Sequence, residues 1–182
     1  MNTSPVRNAY MDDTRAIDHA RRAAWAVHLS KPRKGMGLRL IGNGYYSAVY
    51  AMSAHPNLVV KVGGLGGYGT SVRDGSGLYS ADEECCWPDY VEFTAGLPEL
   101  PEWAPRVYHV EMLTNGAYFA VMERLSPLDD RYRLRDDDAI IVKQKLRYEA
   151  CARGIYSDLH SGNFMQRGDT LVATDPWAGR NQ

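Results

Sequence analysis

The chain has 182 residues, of which 45% are hydrophobic and 24% are charged, which suits one folded domain or a small two-lobed one. A formal net charge of −1 argues against general nucleic-acid binding, and no run of about eighteen apolar residues occurs, so we expect no membrane span. The N-terminus lacks an apolar signal core, and the three cysteines lack a metal-binding spacing, so we expect reduced thiols in a cytoplasmic protein.

The charge is distributed unevenly along the chain. Residues 1–40 hold eight Arg or Lys against three Asp. Such a basic end could bind an acidic partner or nucleic acid, although a solvated helix face followed by a linker explains it more simply. A helix is predicted over residues 11–29, where Ile17, Ala20, Ala24 and Val27 form one apolar stripe.

Three strands are predicted next. Residues 38–52 form two of them around a Gly-Asn-Gly turn, and residues 58–63 form the third after a polar turn at 54–57. The Gly- and Ser-rich residues 63–79 are predicted to be a mobile loop.

A second helix is predicted within residues 80–97, with two alternative starts. Ser80 and Glu83 form a capping box, whereas Pro88 is best placed at a first helical position. Two further strands are predicted within 101–113 and 116–125, joined by a turn at Thr-Asn-Gly.

The last third begins with a helix that Asp136 to Asp138 can cap and that runs to about Arg153, where Gly154 stops it. A short hairpin follows before the C-terminal residues DPWAGRNQ. The whole order predicts an α+β fold, in which an antiparallel sheet with one packed helix precedes a mainly helical part.

Two features of the sheet region suit phosphate binding. Gly42 and Gly44 lie between two strands, where the absence of Cβ lets the backbone approach a phosphate, although an ordinary hairpin turn explains them more simply. Lys61 lies inside an apolar β-branched run, so it either faces solvent on an edge strand or is paired.

A second group of polar residues lies near the C-terminus, in SDLHSGN and ATDP. Asp158 and Asn163 have the D-x-x-x-x-N spacing of a phosphoryl-transfer loop, with His160 between them. Asp175 ends an apolar strand and could bind a metal ion from another side. The simpler alternatives are a polar turn, a surface histidine and an Asp-Pro turn.

These words together resemble the protein-kinase-like superfamily, and more closely the early serine/threonine protein kinases of short-tailed lytic phages, the host-shutoff kinases. The matching segments are LIGNGYYSAVY, HPNLVVKVG, PRVYHV, YSDLHSGNFM and GDTLVATDP, within residues 38–182. Ser47 replaces the third glycine of the kinase pattern GxGxxGxV. The resemblance implies a minimal kinase-like fold with an N-lobe sheet and a truncated helical C-lobe.

The resemblance also implies ATP and Mg²⁺ as cofactors and a role for each candidate residue. Gly42 and Gly44 would cradle phosphates, and Lys61 would hold the α- and β-phosphates. Asp158 would be the base, with His160 stabilising developing charge. Asn163 and Asp175 would bind Mg²⁺. Met122 and the backbone of Glu123 to Leu125 would contact adenine.

The implied domains are an N-terminal helix and basic linker (1–36), an N-lobe (37–125) and a truncated C-lobe with the catalytic loop (126–182). In kinases a helix glutamate pairs with the lysine that corresponds to Lys61. Glu83, Glu84 and Glu92 are all candidates for this glutamate. Only seven residues follow Asp175, so we expect no activation segment.

The leading function is phosphorylation of host bacterial proteins, including transcription machinery, in the cytoplasm of the infected host. One alternative is a non-catalytic kinase-like protein that binds and inhibits a host protein, and another is a small-molecule phosphotransferase. A homodimer could form if the regions of Trp87, Trp103 and Trp177 expose apolar surface.

Overall fold

The computed structural model describes residues 14–28, 36–44, 47–63, 86–113, 117–129 and 137–180. These stretches contain three α-helices and ten short strands, so the α+β class is confirmed. The chain divides into two compact units. The first unit comprises residues 1–83 and 106–124, and the second comprises residues 84–105 and 125–182.

The first unit contains a five-stranded sheet with the strand order β1-β2-β3-β5-β4, in which every neighbouring pair is antiparallel. All five predicted strands are present. Their bounds are β1 Leu38–Asn43, β2 Ser47–Met52, β3 His55–Gly63, β4 Val107–Met112 and β5 Tyr118–Glu123. β3 begins inside the predicted turn at 54–57, because two residues suffice for this hairpin turn.

One face of this sheet is covered by α1, which spans Thr14–His28. Ala16, Ala20, Ala23 and Ala24 are at most 1% exposed, and such small side chains let the helix lie close to the strands. They pack against buried side chains of β2, β3 and β5, namely Met52, Val60, Val62, Phe119 and Val121. The packed helix of this unit is therefore α1.

A charged contact also joins α1 to the far edge of the sheet. The Arg21 guanidinium donates to both carboxylate oxygens of Glu111 on β4, at 3.4 and 2.8 Å. His109 Nε2 lies 3.4 Å from the same carboxylate. The hydrogen bond from Arg21 is the main reason why the pKa of Glu111 lies below its ordinary value of 4.5.

The second unit contains α2 and α3 together with two small antiparallel sheets of order β6-β8-β9 and β7-β10. Its elements are α2 Trp87–Ala95, β6 Ser126–Pro127, α3 Asp137–Ala152, β7 Ile155–Ser157, β8 Phe164–Arg167, β9 Thr170–Ala173 and β10 Trp177–Arg180. The predicted α3 and the predicted C-terminal hairpin are both confirmed. Gly154 and Gly168 follow α3 and β8 with φ angles of 66° and 58°, a conformation that favours glycine.

The structure decides between the two predicted starts of α2. This helix begins at Trp87, and Pro88 lies in its first turn, where a missing N–H costs nothing. Contrary to the predicted N-lobe over 37–125, residues 84–105 belong to the second unit. Their contacts explain the difference, because Trp87 and Tyr90 of α2 hydrogen-bond to residues at the end of β9.

The expectation that tryptophans expose apolar surface is wrong for two of the three. Trp87 is fully buried and Trp177 is 2% exposed. Each indole N–H has an acceptor within the second unit, the carbonyl of Thr174 for Trp87 and that of Leu146 for Trp177. Buried indoles with a bonded N–H are core residues rather than a docking surface.

Several predictions fall on residues outside the described ranges. These are the loop at 63–79 beyond Gly63, the Thr-Asn-Gly turn at 114–116, and the capping box of Ser80 with Glu83. Among the described helices, none has both the length and the apolar character needed to cross a membrane.

Candidate functional site

Two candidate residues of the first unit, Gly42 and Lys61, share one row across the sheet. Gly42 of β1 pairs with Val49 of β2, which pairs with Lys61 of β3, and Lys61 pairs with Ala120 of β5. Residues that are paired across antiparallel strands project from the same face of a sheet. Since Val60 and Val62 project towards α1, the row that contains Lys61 belongs to the opposite face.

Lys61 is buried, with only 4% of its surface exposed, in the middle strand of the sheet. The alternative of a solvent-facing lysine on an edge strand is therefore excluded. A lysine ammonium is rarely buried unless it is paired. Of the glutamates considered as its partner, Glu92 is exposed on α2 in the second unit, and Glu83 and Glu84 lie outside the described residues.

The two glycines near this row are not required by the fold. Neither Gly42 nor Gly44 has a positive φ, so the left-handed conformation that an Asn-Gly turn demands is not present at Gly44. A Cβ added at Gly42 would lie 3.7 Å from Val49, and one at Gly44 would lie 3.8 Å from Ser47. Both distances are ordinary contacts, so internal packing leaves room for a side chain at either position.

Gly63 offers a contrast at the end of β3. A Cβ at this position would lie 2.6 Å from the ring of Tyr118, which is 1% exposed. Glycine is therefore a packing requirement at Gly63, whereas Gly42 and Gly44 keep an open backbone surface without such a reason.

Met122 and Glu123 end β5. Met122 is 5% exposed and follows Ala120 by two positions, so it projects from the same face as Lys61. The Glu123 carboxylate accepts from the N–H of Arg106 at 2.8 Å. The N–H groups of Glu123 and Arg124 donate to the carbonyls of Arg106 and Asn57, so neither N–H is a donor for a bound base.

Three candidate residues of the second unit, Asp158, His160 and Asn163, lie in the loop between β7 and β8. Asp158 directly follows β7, and its N–H donates to the carbonyl of Pro176 at 2.7 Å. The side-chain amide of Asn163 donates to the carbonyl of Asp158 at 2.8 Å. The N–H of Asn163 also donates to the carbonyl of His160, so both ends of the loop are held by hydrogen bonds.

The same loop is joined to the end of β9. The carbonyl of Asn163 accepts from the N–H of Thr174 at 2.8 Å, from its hydroxyl at 3.0 Å and from the N–H of Asp175 at 3.4 Å. Since Asp158 is bonded to Pro176, the backbones of Asp158, Asn163 and Asp175 belong to one hydrogen-bonded arrangement. The structure thus brings together three candidates that are up to seventeen positions apart in sequence.

His160 packs against its own loop. Its Nδ1 accepts from the N–H of Gly162 at 3.0 Å, which assigns the ring proton of the neutral imidazole to Nε2. That Nε2 lies 3.5 Å from a carboxylate oxygen of Asp158. The side chains of His160 and Asp158 are 63% and 45% exposed, so the carboxylate beside the imidazole is accessible from solvent.

Sequence reasoning missed the contribution of α2 to this arrangement. The phenol of Tyr90 donates to the carbonyl of Ala173 at 2.8 Å, and the indole of Trp87 donates to that of Thr174 at 2.9 Å. Burial raises the pKa of Tyr90 well above its ordinary value of 10.0, and the negative charge of Asp175 raises it further. The available signal was the W-x-x-Y spacing, which puts both donors on one helix face.

The described residues contain no group of three or more His, Cys, Asp or Glu that could hold a metal ion. A magnesium site of the kinase type does not need one, since one carboxylate and one amide oxygen are completed by phosphate and water oxygens. Asn163 fits this donor set, because its amide nitrogen faces the carbonyl of Asp158 and its amide oxygen is left as the coordinating atom.

A separate cavity of about 520 Å³ lies elsewhere in the second unit. Its walls include Phe93, Glu92, Glu149 and Arg153, and its described lining contains none of the candidate catalytic or metal-binding residues. The Arg153 guanidinium lies 4.8 Å from the Phe93 ring and also pairs with Glu149. The cation in the wall of this cavity is therefore already paired within the second unit.

Comparison with known families finds no family model that matches the chain, and comparison with curated proteins finds no significant relative.

Proposed function

We propose that the chain is an ATP-dependent serine/threonine protein kinase of a phage that phosphorylates host bacterial proteins with the aid of Mg²⁺. The observation that carries the proposal is the hydrogen-bonded union of the D-x-x-x-x-N loop with the end of β9. A polar turn needs only local hydrogen bonds. Here the carbonyl of Asn163 accepts three donors from residues eleven and twelve positions away, next to a second acidic side chain.

In this proposal Asp158 accepts the proton of the attacking hydroxyl, because its carboxylate is accessible from solvent and lies beside the imidazole of His160. Asn163 and Asp175 would hold Mg²⁺, which when bound neutralises the phosphate charge that develops during transfer. A protein that fixes these three groups through backbone bonds reduces the freedom of the reacting groups, and positioning is the main source of catalysis in phosphoryl transfer.

The first unit supports the proposal through a different kind of observation. Lys61 is a buried cation in the middle strand of the sheet, and its ammonium would bind an anionic ligand such as the phosphates of ATP. Gly42 is in the same cross-strand row, and the fold itself leaves room for a side chain there. Close approach of a phosphate requires backbone without a side chain, and packing within the sheet does not by itself require glycine at position 42.

The test is transfer of labelled phosphate from ATP with Mg²⁺, first with the purified chain alone and then with bacterial lysate. Lys61→Ala, Asp158→Asn and Asp175→Ala are each expected to lower transfer by at least about a hundredfold, the scale of single catalytic groups. The matched controls are Lys145→Ala on the exposed side of α3 and Asp169→Ala in the β8–β9 turn, which should keep wild-type transfer.

Other outcomes would contradict the proposal in distinct ways. Nucleotide binding without transfer, together with stable capture of one host protein, would favour the non-catalytic binding protein. Transfer to a small hydroxylated molecule but to no protein would favour a small-molecule phosphotransferase. Equal loss of transfer in Asp169→Ala and Asp175→Ala would show that neither aspartate has a specific role.

A further inference from the structure

We propose that Tyr90 and Trp87 of α2 are positioning residues for the Asp175 carboxylate. They act through the backbone, because each donates to one of the two carbonyls that immediately precede Asp175. The role given to Asp175 as a metal ligand rests on the proposed function, whereas the positioning of its backbone does not.

The end of β9 has hydrogen-bond partners on both of its sides. Ala173 pairs with Phe164 on one side, and on its other side its N–H donates to the carbonyl of Trp103 at 2.8 Å while its carbonyl accepts from Tyr90. At Ala173 the outer edge of β9 thus has both hydrogen-bond partners, the Tyr90 hydroxyl as donor and the Trp103 carbonyl as acceptor. An edge satisfied in this way has one preferred backbone path.

Thr174, the residue between β9 and Asp175, is likewise held from two sides at once. Thr174 donates twice to the carbonyl of Asn163 and accepts from the indole of Trp87. The peptide before Asp175 is therefore fixed between the D-x-x-x-x-N loop and α2. Small displacements of α2 would be transmitted to the carboxylate through a single residue.

The two donors, Tyr90 and Trp87, are themselves held rigidly. Trp87 and Tyr90 are fully buried, and the Tyr90 ring packs edge-on against Trp177 with 5.5 Å between ring centroids. Trp177 in turn stacks on Phe93 at 5.4 Å. Aromatic side chains packed in this manner have few alternative rotamers, so they hold their acceptors in a defined place.

The experiment compares Tyr90→Phe, which removes only the hydroxyl, with Thr94→Val, which removes another buried hydroxyl of α2. The hydroxyl of Thr94 bonds to the carbonyl of Val91 within the helix and does not contact β9. Two properties are measured on the full chain: Mn²⁺ affinity with a non-hydrolysable ATP analogue, by electron paramagnetic resonance, and hydrogen exchange of the Thr174 and Asp175 amides, by NMR.

We expect Tyr90→Phe to weaken Mn²⁺ binding about tenfold, which is typical when a partner of a metal ligand is removed, and to speed exchange of both amides. Thr94→Val should change neither property. In an Asp175→Asn background Tyr90→Phe should have no further effect on Mn²⁺ affinity, because it acts through that carboxylate.

Unchanged exchange at Thr174 and Asp175 in Tyr90→Phe would overturn the inference, as would an equal effect of Thr94→Val. A wild-type chain that binds no Mn²⁺ would refute the metal role and with it the proposed function, and exchange would then decide the backbone positioning alone. If Tyr90→Phe does not fold, Trp87→Phe removes the other donor while keeping an aromatic ring, and the same criteria apply.

Discussion

Two glycines of the same sheet should respond oppositely to the same substitution. At Gly63 an added Cβ would lie 2.6 Å from both the Cζ atom and the hydroxyl oxygen of the buried Tyr118 side chain. Non-bonded carbon atoms prefer about 3.5–4.0 Å, so the ring would have to retreat by roughly 1 Å within a packed core. At Gly42 the nearest atom to an added Cβ is 3.7 Å away, which requires no movement.

The expected free energies follow from these distances. Overpacking costs about 1–3 kcal/mol, and alanine in a strand regains about 0.5–1 kcal/mol relative to glycine. Gly63→Ala should therefore lower the free energy of unfolding by roughly 1–2 kcal/mol, which lowers Tm by about 2–8 °C in a chain of this size. Gly42→Ala should leave Tm unchanged or raise it by about 1–4 °C.

The functional effect should have the reverse order. If Gly42 provides bare backbone for a phosphate, Gly42→Ala should weaken ATP binding measured by calorimetry while the protein stays fully folded. Denaturant unfolding followed by circular dichroism gives the stability of both variants. A Gly42→Ala variant as unstable as Gly63→Ala would refute the packing argument, and unchanged ATP affinity would refute the phosphate role.

Three further predictions concern single contacts. Glu111→Gln should remove a stabilisation below about 1 kcal/mol, since its arginine partner on α1 is 42% exposed. Because the folded pKa of Glu111 is lowered, that stabilisation is present above pH 4.5 and is lost as the pH falls through the lowered pKa, so acid unfolding should be less steep in the variant. Thr174→Val should cost about 1 kcal/mol in chemical denaturation by removing a donor to Asn163, whereas Thr174→Ser should restore it; an unaffected Val variant would show that the bond contributes nothing. In Gly162→Ala the added Cβ would lie 2.7 Å from His160 Cε1, so the ring should turn away, and nitrogen NMR should show Nδ1 losing its acceptor signature; an unchanged signature would contradict the assigned tautomer.

Much of the fold could be predicted because it depends on local rules. The five strands of the sheet are short β-branched and aromatic runs separated by turn residues, and each run pairs with a neighbour that a turn or register permits. Gly154 ends α3 with a positive φ because only glycine takes that conformation at little cost. The D-x-x-x-x-N spacing also marked a loop whose two ends are joined by one side-chain amide.

The position of α2 could not be predicted in the same way. Its apolar residues are compatible with packing on either unit, and the kinase resemblance favoured the sheet. The choice depends on acceptors that are more than eighty residues away, the carbonyls of Ala173 and Thr174. The W-x-x-Y spacing does not predict which carbonyls will accept hydrogen bonds from the indole and the phenol.

The candidate site shows the same division. Residue types and spacing were enough to predict that Asp158, Asn163 and Asp175 could supply oxygen ligands to Mg²⁺, and that the hairpin after Gly42 could bring Lys61 near it. Only the tertiary structure decided that β7 pairs with β10, that Asn163 bonds to Thr174, and that α1 covers the sheet face opposite Lys61. The physical reason is that a side chain's chemistry and its local backbone preference are encoded within a few residues, whereas pairing and burial depend on which distant surfaces satisfy each other's hydrogen bonds and exclude water.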